Sequence, residues 1–214
     1  RTNDPAFASN APVLNLMASP AFEDPSSPAP ALTFDALAPI IEEAMTRWSG
    51  VLNDDALARL SGVRFEVVDL EGSTLGQTVA STIFLDVNAA GRGWFVDSTP
   101  GDDREFHLAG PTHACLASSA SPAFGEMDLL TVIMHELGHV AGLKDLDIDG
   151  LSQNLMAATL EPGARRTVKK IEVMDSIFRR EGLPSHNSSD AIRWEKDLNV
   201  LAQLVNKNAS RRKL

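Results

Sequence analysis

The sequence predicts an α+β domain, and three observations carry that expectation. Two short segments alternate apolar and polar residues as strands do, longer ones repeat apolar residues at helical spacing, and the strand segments lie between the helical ones. With 214 residues and 43% hydrophobic content, the chain can build a substantial core in one domain with extensions.

Residues 1 to 32 are rich in Ala, Pro and Ser, with Pro28-Ala-Pro30 near their end, and read as an extended linker or N-terminal extension. Composition favours that reading over a propeptide in which Asp4 or Asp24 caps a metal. The domain proper is expected over 33 to 182. Phe34, Leu37, Ile41, Ala44, Met45 and Trp48 recur at helical spacing, and Ser49-Gly50 supplies a stop. Pro39 must lie in the first turn or kink that helix.

Val63 to Leu70 alternates as a strand, Glu71-Gly-Ser turns, and Ser81 to Val87 reads as a second strand. The glycine-broken Ala89 to Asp97 can carry a bulge and a short third strand. Residues 98 to 125 read as loop. Met127 to Leu143 predicts a half-buried helix, because Leu129, Leu130, Ile133, Leu137 and Val140 stand where a solvated helix would carry charges. Ile171 to Arg180 predicts another helix. Residues 183 to 214 form a C-terminal extension, predicted helical from Ile192, Trp194, Leu198, Leu201 and Val205.

Bulk properties exclude some partners. A net charge of −10 argues against nucleic acid or an anionic membrane, which need a basic surface. No apolar run approaches a membrane span, and the first residues lack the charged start and apolar stretch of a signal peptide. Without an initiator Met, the chain reads as a mature form or a piece of something larger. Cys115 is the only cysteine, so no intrachain disulfide and no thiolate cluster can form.

The chemistry concentrates in Thr131 to Asp145. His135 and His139 are four apart, so on a helix both imidazoles leave one face and can grip one ion. Glu136 stands beside them, free to act as a base. Catalytic zinc commonly takes three protein ligands and leaves a position for water. Gly142 lets the helix stop abruptly in a left-handed conformation, so the chain can turn back and present Asp145 as the third ligand. Glu161 and Glu172 are the alternatives, Glu161 in a loop before Pro162-Gly163 and Glu172 on a later helix. Glu136 would take a proton from water and pass it to a leaving amine, which describes peptide hydrolysis.

These residues resemble a family. His135, Glu136, His139, Gly142 and Asp145 form HExxHxxGxxD, similar to the elongated zinc motif of metzincin metallopeptidases, most of which carry His last. Asp at that place resembles the snapalysin-type secreted proteases. Asn154 to Arg166 is similar to the methionine turn and specificity loop of matrixin-like proteins, and Thr82 to Asp97 has counterparts in large exported bacterial proteins. The likeness covers about residues 34 to 182. It implies a zincin fold, a twisted, mostly parallel or mixed sheet packed on the active-site helix with a C-terminal helix, and Met156 as the turn methionine beneath the metal. It implies further that residues 157 to 168 shape a pocket beside the cleft. Ala158 stands where some metzincins carry an extra tyrosine ligand, and the chain has no tyrosine, which places the likeness on the matrixin side. The resulting expectation is a secreted or cell-surface zinc endopeptidase with one Zn2+ and a protein or peptide substrate, possibly cut from a larger exported polypeptide.

Other readings compete. Asp145-Leu-Asp-Ile-Asp-Gly150 begins as an EF-hand calcium loop does, but its closing acid would fall on Met156. A weak Ca2+ site at Asp147 and Asp149 stays open. A non-catalytic exported adhesin-type or calcium-binding module, and a self-processing domain of a larger protein, are the rival functions. His107 and His113 read as surface residues, Cys115 as a small buried apolar residue, and Trp94 and Phe95 as core.

Overall fold

A computed structural model describes residues 13–19, 29–109, 114–146 and 154–168. Among these residues the fold is a mixed α+β arrangement of three helices, a five-stranded mixed sheet and two smaller sheets. The helices predicted at 171–180 and beyond 183, together with Asp4, Asp24, His113, Asp147, Asp149 and Glu172, lie outside the described residues.

Helix α1, Phe34–Ser49, buries Leu37, Ile40, Ala44 and Trp48 along one stripe. Pro39 is its sixth residue, past the first turn, and withholds the N–H that would bond the carbonyl of Asp35. Helix α2, Asp54–Leu60, starts where the side chain of Asn53 accepts the N–H of Ala56. Helix α3, Leu129–Ala141, is capped by Asp128, whose carboxylate accepts from the N–H and hydroxyl of Thr131. Every residue of α3 but Val140 is buried. The half-buried helix expected from sequence is therefore a fully internal one, walled by α1, α2 and the sheet. Hydrogen bonds from α1 and α2 help fix it there: Trp48 Nε1 donates to the carbonyl of Met134 at 2.9 Å, and Arg59 donates to that of Ala141 at 2.9 Å.

The main sheet takes the order β2-β4-β3-β1-β9, with β1 Leu14–Ala18, β2 Arg64–Val68, β3 Thr74–Val79, β4 Thr82–Asp86 and β9 Thr159–Leu160. Pairs β2/β4 and β1/β9 are parallel, while β3 runs antiparallel to β4 and β1, so the sheet is mixed rather than mostly parallel. Strand β1 lies inside the stretch read as a linker. For residues 14–18 that reading is corrected: Leu16 and Ala18 are buried in the core and the backbone pairs on both sides. Composition hid this because the partners are 55 or more residues away.

The turn from Asn88 to Gly93 runs through left-handed residues, Ala89, Ala90, Gly91 and Gly93, held by Asp86 Oδ1, which accepts from Asn88 N and Ala90 N. It delivers the short strand β5, Trp94–Phe95, to β8, Met127–Asp128, at the entry of α3. The segment expected as loop after residue 98 holds strands β6, Phe106–Ala109, and β7, Ala114–Ala117, which pair with each other, and β7 pairs on its other side with β10, Ala164–Arg165. Trp94 and Phe95 are core residues, as expected, whereas Cys115 is half-buried against the Phe95 and Phe106 cluster. No helix of the described residues is long and apolar enough to cross a membrane.

Candidate metal centre

The site is built on α3 and on the two chain reversals that follow it. One helical turn separates His135 and His139, and their rings meet edge to face with centroids 4.5 Å apart. Gly142 ends the helix at φ 101°, and its N–H returns to the carbonyls of Gly138 and His139. That left-handed residue turns the chain back across the helix end, and Asp145 arrives beside both imidazoles. Asp145 Oδ1 lies 3.2 Å from His135 Nε2 and 3.3 Å from His139 Nε2.

Each histidine is oriented from behind. Nδ1 of His135 faces the carbonyl of Leu155 at 2.8 Å, and Nδ1 of His139 faces that of Leu143 at 3.2 Å. A carbonyl only accepts, so each Nδ1 carries the proton and each Nε2 offers a lone pair. His135 Nε2, His139 Nε2 and Asp145 Oδ1 are all buried without a hydrogen-bond partner among the described residues. Three converging acceptors with nothing to accept from are costly unless a cation sits among them. A tetrahedral zinc with bonds of about 2.0–2.1 Å sets its ligand atoms about 3.3–3.4 Å apart, which these separations fit.

Glu136 also lies close, since it forms with the two histidines a group whose ligand atoms fall within 4.8 Å of one another. Its carboxylate is engaged otherwise. Oε2 accepts from the hydroxyl of Thr78 at 2.7 Å and Oε1 from the N–H of Leu16 at 3.3 Å. Asp145 is the carboxylate left with a free oxygen, and so the better third ligand. Glu161 forms an ion pair with neither imidazole, and its Oε1 accepts from the hydroxyl of Ser19.

Charge follows from this packing. Burial pushes Glu136 up, and His135, His139, Thr78 and Leu16 pull against it without cancelling the effect. Burial also pushes Asp145 up, but in the metal-free protein the adjacent imidazoles override it and hold its carboxyl well below the usual range. In His139 burial favours the neutral ring, yet Asp145 and Glu136 raise it overall.

Met156 packs against α3 at Gly138. A Cβ on Gly138 would meet its Sδ at 2.6 Å and Cζ2 of Trp48 at 3.2 Å, so Gly138 is the gap through which the turn approaches α3. Asn154 holds the turn by accepting from Met156 N at 2.9 Å, and Met156 returns a carbonyl to Leu146 N at 2.8 Å. The same turn supplies the Leu155 carbonyl that orients His135.

Sequence reasoning missed several residues that serve this site. Thr78 and Leu16 reach Glu136 from distant strands and carry no local signal. Gly76 lets β3 pass within contact of Glu136, for a Cβ there would lie 2.9 Å from Cγ and Oε1. Arg165 and Arg166, expected to shape a pocket, are both buried. Arg165 pairs with Asp97 and Asp128, each at 2.8 Å, over the ring of Phe106. Arg166 donates to the carbonyls of Ala157 and Thr159, stapling the chain after Met156. Asp128 before an apolar run was legible as a helix cap.

No family of known proteins, no curated protein and no solved structure matches this chain.

Proposed function

We propose that the protein is a zinc-dependent endopeptidase of metzincin type, nearest the matrixin-like branch, acting on proteins or peptides outside the cell. One observation carries the reading: two Nε2 atoms and one carboxylate oxygen converge without partners, next to a buried carboxylate held by Thr78 and Leu16. His135, His139 and Asp145 would hold the ion, Gly142 lets Asp145 reach it, and Met156 braces the helix from below.

A bound zinc would lower the pKa of its water to about 7 and polarise a substrate carbonyl. The protein's own residues supply the proton handling. Glu136 accepts a proton from the attacking water and delivers it to the departing amide nitrogen. Its raised proton affinity suits both halves of that task. Thr78 fixes the carboxylate, and the Leu143 and Leu155 carbonyls hold the imidazole tautomers.

A binding module using calcium structurally is the rival reading. Unfolding followed with zinc and with calcium added separately distinguishes them, because only an ion bound by the native state raises the midpoint. A rise with zinc alone, together with cleavage of casein, is expected; a rise with calcium alone, without cleavage, would overturn the proposal.

A further inference from the structure

Strand β1 stands in an unusual relation to Glu136. The amide N–H of Leu16 points at Oε1 of the residue proposed to protonate the departing nitrogen in peptide hydrolysis. The backbone around it is held as an inserted strand. On one side β1 runs antiparallel to β3, pairing Leu14 with Thr78, Asn15 with Gln77 and Leu16 with Gly76. On the other it runs parallel to β9, with Met17 N donating to the Ala158 carbonyl at 3.0 Å and Ser19 N to that of Leu160 at 2.8 Å. Between these, Ala18 N donates to Ser73 at 2.7 Å. Among the described residues β9 neighbours only β1 in this sheet, so without β1 these strands would leave a slot one strand wide beside Glu136, about 9–10 Å across.

We infer that the slot between β3 and β9 is a peptide-binding cleft and that residues 13–19 are its internal, substrate-like occupant, presenting the Asn15–Leu16 bond to Glu136. The inference rests on the role given to Glu136 above. An extended peptide that adds a strand to a sheet gains affinity from its main chain and specificity from alternate side chains. Leu16, the first residue after the presented bond, is fully buried, whereas Val13 is exposed. The register with β3 also breaks between Leu16 and Met17, where Leu16 faces Gly76 and Met17 faces Thr74.

In hydrolysis of such a peptide, water oxygen bonds to the carbonyl carbon of the Asn and the bond to the Leu nitrogen breaks. Glu136 carries the proton from water to that nitrogen, leaving a carboxylate and an amine. While residues 13–19 hold the slot, an added peptide must displace them, so its apparent affinity is reduced by the fraction of open molecules.

The test uses the full chain loaded with zinc, in a Glu136→Gln background so that nothing is cut, and the labelled heptapeptide Val-Leu-Asn-Leu-Met-Ala-Ser. Leu16→Ala weakens the internal occupant, and peptide binding by fluorescence anisotropy should tighten about tenfold if the open fraction rises tenfold. With Glu136 intact, Leu16→Ala should cut the heptapeptide between Asn and Leu. A merely structural strand gives unchanged or weaker binding, which overturns the inference. If Leu16→Ala shows no cooperative unfolding transition, Met17→Pro, which removes the donor to Ala158, takes its place. A variant that cuts casein but neither binds nor cuts the heptapeptide overturns the cleft and leaves the peptidase reading standing. One that binds it while no variant cuts any peptide upholds the cleft and overturns the peptidase reading.

Discussion

His135 Nε2 and Asp145 Oδ1 lie 3.2 Å apart, buried, and neither has a hydrogen-bond partner among the described residues. The pair is joined by an elaborate local design: a left-handed Gly142 to return the chain, and a Leu155 carbonyl to turn the ring. A shared cation, as proposed above, would account for such construction around two unsatisfied acceptors. Asp145→Ala should lower zinc affinity by more than the roughly 10–100-fold that loss of an outer partner costs. Competition with a chelating dye measures it, and unchanged affinity would return the third-ligand role to another carboxylate.

Thr78 donates a 2.7 Å hydrogen bond to Glu136 and thereby favours its charged form. Thr78→Val removes that donor, so Glu136 should hold its proton to higher pH. Because the base works deprotonated, the acidic limb of the kcat/KM profile should move to higher pH. A loss of rate with the limb unmoved would make Thr78 only a packing residue.

Gly138 has no room for a side chain, since Met156 and Trp48 crowd the position. Gly138→Ala should destabilise the fold by about 1–3 kcal/mol through overpacking. Urea unfolding checks this, and Met156→Ala in the same chain should recover part of the loss by clearing the collision.

Arg165 compensates Asp97 and Asp128 in the interior, and Asp128 also caps α3. Arg165→Met strands two buried carboxylates and should cost about 3–5 kcal/mol. The double variant with Asp97→Asn should be less affected than additivity predicts, which a double-mutant cycle reads directly.

The midpoint of the metal-free protein and the increment that zinc adds to it should respond oppositely to rising pH. Without metal, His139 and Glu136 bind protons more tightly folded than unfolded, so their stabilising contribution is present at low pH and lost as pH rises through their folded values. Asp145 has the reverse sign: its contribution is present above its ordinary range and lost as pH falls through the depressed value. The metal-free midpoint should therefore peak between the ordinary carboxylate and imidazole ranges, about pH 4 to 6.5, and decline above. Protons compete with zinc for the imidazoles, so the increase in midpoint on adding zinc should grow with pH. Calorimetry across pH 5 to about 8, with and without zinc, separates the two slopes.

How much of this was legible in the sequence depended on how local the cause was. Helices α1 and α3 follow from apolar spacing, and the Gly142 reversal from a glycine after the last helical residue. Strands β2 and β4 alternate and were read within two residues of their ends. Strand β3 was not read, because Gly76 and Gln77 interrupt its apolar pattern; Gly76 is there to clear Glu136. Helix α2 offered Asn53 before Asp54-Asp55 as a cap and was missed for its seven-residue length. Strand β1 was opaque because its partners, β3 and β9, lie far along the chain, and so the Leu16 contact to Glu136 could not be foreseen. Likewise the burial of Arg165 depends on Asp97 and Asp128, which no spacing rule connects to it.

The most direct test of the central claim is the metal content and casein cleavage of the purified protein and of Glu136→Gln, measured side by side after zinc loading and dialysis. Both proteins should retain about one zinc per chain, because Glu136 is not among the three proposed ligands, and only the unmodified chain should cut. Absence of bound zinc, or cleavage undiminished in Glu136→Gln, would contradict the account.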